Sequence, residues 1–138
     1  LSTWENESEK WEDKLRVFVR KFMDFLQTHS LLFILREINR NPALLQDKRK
    51  ESGPKRNKFL NYFEQLQEQA VIPRCDLRIL YMMLHALCAY PLLNASMFKM
   101  TFKLNDHQYG NLIQQYPEHV AEVLIQTIKK NTLRTNEK

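Results

Sequence analysis

Apolar residues recur along this chain at every third or fourth position, in blocks set apart by prolines and polar runs. That spacing predicts amphipathic helices. The first block, SEKWEDKLRVFVRKFMDFLQTH, places Leu15, Phe18, Phe22, Phe25 and Leu26 on one side with Val19 beside them, and charged residues on the rest. It predicts a long helix ending near His29. SLLFILREINRN follows with Leu31, Leu32, Leu35 and Ile38 in one stripe, broadened by Phe33 and Ile34 and closed by Asn41-Pro42. PALLQDK then opens a short segment with proline in a first-turn position. KFLNYFEQLQEQAVIP repeats at Phe59, Tyr62, Phe63, Leu66 and Ala70 and stops at Pro73.

LRILYMMLHALCAYPLL, from Leu77 to Leu93, breaks the amphipathic rule, since Arg78 and His85 are its only strongly polar side chains. Asp76 stands where an N-cap belongs. At about 100° per residue the helix has a broad face of Leu77, Leu80, Tyr81, Leu84, Leu87 and Cys88. A second face carries Ile79, Met83, Ala86 and Tyr90, and a milder third carries Arg78, Met82, His85 and Ala89. A helix apolar nearly all round is covered nearly all round: either a 138-residue monomer buries it centrally, or one face meets a second copy of the chain. Arg78, His85 and Pro91 interrupt it too often, and it is too short, for a membrane span.

MFKMTFKL alternates like a strand at Phe98, Met100, Phe102 and Leu104, but no partner strand is available, so it reads as a helix end or irregular turn. NDHQYGNLIQQYP predicts a short helix with Leu112, Ile113 and Tyr116 inward. PEHVAEVLIQTIKKNTL predicts a separate last helix opening at Pro117 and Glu118. Its stripe of Val120, Ala121, Val123, Leu124, Thr127 and Ile128 is wider than one core contact requires, which makes it a second candidate for subunit contact.

Composition agrees with these blocks. The 138 residues are 43% hydrophobic and 27% charged, with only two glycines, Gly53 and Gly110, and no Asn-Gly or Asp-Gly hairpin signal. The fold class is all-α, a single domain of about five to seven helices, divided by five prolines. The net charge of +5 (21 − 16) is concentrated between Lys48 and Lys58, a stretch with Gly53-Pro54 and no apolar side chain. It reads as a solvated basic loop, with phosphate binding as the alternative. Cys75 and Cys88 make no disulfide framework, and the acidic start lacks the apolar core of a signal peptide, so free thiols in a reducing cytoplasm are expected. The chain opens with Leu1 in an already helical block, which reads as a fragment of a longer protein.

No Gly-rich phosphate loop, nucleophile elbow or Cys-x-x-Cys pair is present. No catalytic residues, metal or cofactor are therefore expected. A small helical enzyme or metal protein using His85, Cys88, His107 or His119 is the alternative, although the helical step sets His85 and Cys88 roughly 60° apart, poorly placed for shared ligation. The aromatic and sulfur side chains are more informative. Phe22, Phe25, Phe33, Phe59, Phe63, Tyr81, Met82 and Met83 are candidates to line an interhelical cavity, with His85 or Tyr81 as its polar groups; a filled core in which Met serves as gap-filler is the other reading of the same residues.

Three stretches together carry a family likeness: LRVFVRKFMDFLQTHSLLFILREINRNPALL, then FLNYFEQLQEQAVIPRCDLRILYMMLHALCAYPLL, then LNDHQYGNLIQQYPEHVAEVLIQTIKK. In this order the chain resembles the C-terminal ligand-binding and dimerisation domain of TetR-family (tetracycline-repressor-like) transcriptional regulators. The resemblance implies that residues 1–138 form an effector-binding and dimerisation domain of a cytoplasmic repressor. It implies a homodimer through two long helices near Asp76–Tyr90 and Pro117–Leu133, with Arg78, Met82, His85, Ala89, Val120, Leu124 and Ile128 at the contact. It also implies a small apolar effector in the cavity, and operator DNA read only by a helix-turn-helix domain that is not in this chain.

Overall fold

The computed structural model describes residues 4, 8–28, 31–43 and 57–130, the side chains of 31–35 excepted, and among these residues all the long elements are helices. Helix α1, Trp11–Thr28, buries Leu15, Val19, Met23 and Leu26 at three- and four-residue intervals, with Glu12 and Asp13 in the first turn, where the helix dipole favours acids. Helix α2, Leu31–Arg40, ends before Asn41-Pro42 because a residue preceding proline is driven out of helical geometry. Helix α3, Lys58–Glu68, starts at Asn57, whose side chain accepts a hydrogen bond from the Leu60 N–H. The basic stretch from Lys48 to Arg56, and PALLQDK beyond Ala43, lie outside the described residues.

Helix α4, Leu77–Leu93, begins at Asp76 as its spacing predicts, with the carboxylate accepting from the Arg78 N–H and gripping the Arg78 guanidinium at 2.8 Å. That guanidinium holds the Asp76 carboxyl below the usual carboxylate range. The cap is therefore complete above that range and weakens as pH falls through the lower folded value. Helix α5, Ala95–Phe102, occupies the segment read as a helix end or irregular turn, bent 66° from α4 at Asn94. Its alternation of Phe98, Met100 and Phe102 reflects a helix with little burial rather than a strand: Phe98 packs on the core while Met100 is 81% exposed. Among the described residues no single helix is long and apolar enough to cross a membrane.

Helix α6, Asp106–Lys129, corrects the expectation of two helices divided at Pro117. It opens with a reciprocal capping box between Asn105 and Gln108 and runs straight through the proline. A proline inside a helix costs about 3 kcal/mol, but Ile113, Pro117, Val120, Ala121 and Leu124 are all buried, and burying each large apolar side chain returns about 1.5–3 kcal/mol. Packing outweighs the local preference.

Helices α1 and α6 run antiparallel. Ion pairs join Glu12 to Lys129 at 3.3 Å, Arg16 to Glu122 at 3.3 Å and Arg20 to Glu118 at 3.2 Å, ascending one helix while descending the other. These pairs are largely exposed and contribute at most about 1 kcal/mol each; the adhesion lies beneath them, where Leu15, Val19 and Met23 share one core with Leu124, Ile125 and Ile128. Helix α4 lies against both α1 and α6, and α3 packs on α4.

The seam between α4 and α6 has a specific cause. Pro91 sits inside α4 and has no N–H, so the Leu87 carbonyl, four residues earlier, loses its helical donor. The Tyr116 hydroxyl of α6 donates to that carbonyl at 2.8 Å. One turn on, where the carbonyls of α4 run out of helical partners, the Tyr109 hydroxyl donates to the Pro91 carbonyl at 2.6 Å. Because 109 meets 91 and 116 meets 87, α4 and α6 are antiparallel.

Tyr116→Phe leaves the Leu87 carbonyl without a donor and is expected to cost about 1–3 kcal/mol in urea denaturation. In a Pro91→Ala background position 91 regains its N–H, and the same substitution is expected to cost about 1 kcal/mol less. Burial pushes both hydroxyls above the tyrosine value of 10.0. Their contribution is therefore whole below pH 10.0 and declines as pH climbs through the raised folded values; urea midpoints measured between neutral and strongly alkaline pH report it.

Candidate functional site

One turn of α1 separates Phe18 from Phe22, which stack with centroids 5.9 Å apart. One turn of α4 separates Tyr81 from His85, at 4.3 Å. Phe22 meets His85 edge-on at 5.1 Å, and Tyr81 meets Phe59 of α3 at 5.8 Å. Trp4 closes the circuit, 5.9 Å from Phe59 and 5.0 Å from Phe18. Six rings from α1, α3, α4 and Trp4 thus form a closed cycle of neighbours. All six line a cavity of about 250 Å³, which Asn57 and Lys58 complete.

The polar groups of this cavity are fixed by their partners. His85 Nδ1 lies 2.9 Å from the Tyr81 backbone carbonyl. A carbonyl only accepts, so Nδ1 carries the hydrogen, and in the neutral ring Nε2, on the side away from the backbone, is left as an acceptor. Asn57 donates Nδ2–H to the Tyr81 hydroxyl oxygen at 2.8 Å while its Oδ1 caps α3. The hydroxyl oxygen is thus an acceptor within the protein, and its own O–H remains to donate. Beside its apolar wall the cavity offers an acceptor on His85 and a donor on Tyr81, with Lys58 also in its lining.

Of the residues proposed to line a pocket, Phe22, Tyr81 and His85 do so, as does Phe59. Phe63 is wholly buried in the core beneath the cycle, against Trp4, Trp11, Phe59 and Tyr62. Phe25 is about half exposed, and Met83 packs partly buried against the core. Met82 points outward, 70% exposed. Phe33 lies among the side chains outside the described residues. Trp4, Phe18, Asn57 and Lys58 were not singled out. Phe18 belongs to the stripe of α1, and its stacking on Phe22 at four-residue spacing was legible; Trp4 stands apart from any periodic block and gave no signal.

The residues assigned to subunit contact also need correction. Val120, Leu124 and Ile128 are buried in the chain's own core and have no surface to offer a second copy. His85 turns toward Phe22 rather than outward, and Ala89 is only partly exposed. The apolar surface of α4 that is left uncovered is instead Ile79, Met82, Ala86, Tyr90 and Leu93. At about 100° per residue these five fall within one quarter of the circumference. On α6 the exposed apolar residues are Leu112 and Val123.

Two wider grooves carry charge. One of about 560 Å³ runs between α1 and α6 past Arg16, Arg20, Asp24, Glu118 and Glu122. Another, of about 840 Å³, passes Trp11 and Lys14, whose buried ammonium sits 4.8 Å from the centre of the Tyr62 ring. Among the described residues no three His, Cys, Asp or Glu side chains gather as a metal site. No family model matches the chain, and neither does any curated protein or solved structure.

Burial pushes the Cys88 thiol up to about 12, and burial also raises Cys75 against the lowering effect of its Gln67 hydrogen bond. Only a thiolate reacts readily with alkylating agents. Neither cysteine is therefore expected to react with iodoacetamide at pH 8 in the native chain, and both are expected to react once urea unfolds it; mass spectrometry counts the adducts.

Proposed function

We propose that this chain is the effector-sensing and homodimerising part of a TetR-like transcriptional regulator, a repressor whose operator DNA is read by a helix-turn-helix segment outside residues 1–138. The observation that carries this proposal is the apolar stripe Ile79, Met82, Ala86, Tyr90 and Leu93 on α4, which the chain's own core leaves bare. Contiguous exposed apolar surface on a folded chain marks an interaction site. The stripe has a neighbour. Tyr109 and Tyr116 fix how α4 and α6 face each other, and helical steps counted from those contacts turn Leu112 and Val123 to the same side as the α4 stripe. Two such helices from each of two copies make a four-helix contact.

The cavity and the stripe share α4. Tyr81 and His85 are walls of the cavity, while Met82 and Ala86, the next residue in each case, lie on the bare face. A small, largely apolar effector wedged between Phe22 of α1, Phe59 of α3 and Tyr81 of α4 would favour one position of α4 over another. In a dimer it would then select one spacing of two DNA-reading heads. Half-sites lie about 34–36 Å apart along the duplex, so a change in that spacing weakens operator binding. The ligand acts only through its different affinity for the two arrangements.

Sedimentation equilibrium at micromolar concentration is expected to give a dimer. Met82→Glu combined with Val123→Glu is expected to give a monomer with unchanged helical circular dichroism, because two charges would lie unpaired in the contact. A wild-type chain that sediments as a monomer at that concentration overturns the dimeric sensor.

A further inference from the structure

We infer that the six-ring cavity takes a neutral phenol of one or two fused rings; this rests on the effector cavity proposed above and names the chemistry of its occupant. Size sets the first limit. An apolar cavity of about 150 Å³ holds benzene, so about 250 Å³ has room for one or two rings. Shape sets the second. The walls are rings on α1, α3 and α4, and a flat aromatic guest can stack on some and meet others edge-on, as these rings already meet one another.

Hydrogen bonding selects the group the guest carries. The Nδ1–H bond to the Tyr81 carbonyl leaves His85 Nε2 wanting a donor. The Asn57 bond to the Tyr81 oxygen leaves the Tyr81 O–H wanting an acceptor. A hydroxyl both donates and accepts, so it can satisfy either group and leaves neither opposed by a like partner. An ether or ketone cannot donate to Nε2. A carboxylate can accept from the Tyr81 hydroxyl and pair with Lys58 but leaves Nε2 without a donor, and an ammonium offers nothing to the Tyr81 proton. Aromatic walls alone would also suit a quaternary ammonium, but such an ion brings no donor to Nε2 and no acceptor to the Tyr81 proton. A phenol combines the flat apolar body with the two-way polar group.

The test is calorimetry on the full chain with four probes: 2-naphthol, 2-methoxynaphthalene, 2-naphthoate and benzyltrimethylammonium. The expected result is one 2-naphthol per chain, bound about tenfold more tightly than its methyl ether, the ratio that one lost hydrogen bond produces. His85→Phe, checked for folding by circular dichroism, is expected to erase that preference while retaining the ether, whereas Tyr81→Phe is expected to weaken both probes and leave the preference in place. Equal binding of 2-naphthol and its ether by the wild-type chain overturns the phenol assignment without recourse to any variant. So does tighter binding of the naphthoate or the ammonium, or a preference that survives His85→Phe. Failure here is separable from failure of the regulator: a dimer that does not discriminate the hydroxyl sinks the phenol alone, whereas a monomer that does discriminate it keeps the phenol and sinks the dimeric sensor.

Discussion

The arrangement depends on a carbonyl that a proline has stripped of its partner. Without Pro91 the Leu87 C=O would already have a donor inside α4 and would not depend on one from elsewhere. With Pro91 present it must find a donor from outside, since a buried backbone acceptor left bare costs about 1–3 kcal/mol, and Tyr116 supplies it. The bond fixes more than distance. It sets the rotation of α4 about its own axis, so that Leu80, Leu84 and Cys88 fall in the core, Tyr81 and His85 fall beside Phe59 and Phe22, and Ile79, Met82 and Ala86 fall outside. Turning the helix by one residue would put Met82 where Tyr81 is and dismantle the ring cycle.

Most of this architecture was legible in the chain. Helical spacing gave the all-α class and the extents of α1 and α2, and Asp76 marked the start of α4. The sequence misled where local and tertiary preferences disagree. Pro117 reads as a break because proline ends most helices, yet the buried residues on either side of it keep α6 whole. Helix ends were also poorly punctuated. Ala70 and Lys103 take left-handed backbone conformations, with φ of 58° and 57°, at the ends of α3 and α5, where glycine is usual. In a chain with two glycines that signal is missing.

The candidate site was half legible, for a reason of geometry. The helical wheel of α4 marks its broad buried face of Leu80, Leu84 and Cys88 but cannot say which neighbours the other residues meet. The face of Arg78, Met82, His85 and Ala89, assigned to a partner, is divided in the structure. His85 is drawn to Phe22 by an edge-on contact that depends on α1, and Met82 is left in solvent. On α6 the wide stripe was read as surplus because the core was undercounted. Two long helices, α1 and α4, both lie against it, and together they consume Val120, Leu124 and Ile128.

Five of the six rings around the cavity are anchored in helices of eleven residues or more. The sixth, Trp4, belongs to none of these helices; the buried Lys14 ammonium reaches its carbonyl at 3.4 Å, and its indole leans on Phe18, Phe59, Tyr62 and Phe63. Displacing any other wall means unwinding or sliding a packed helix, whereas swinging Trp4 aside breaks one long hydrogen bond and a few ring contacts.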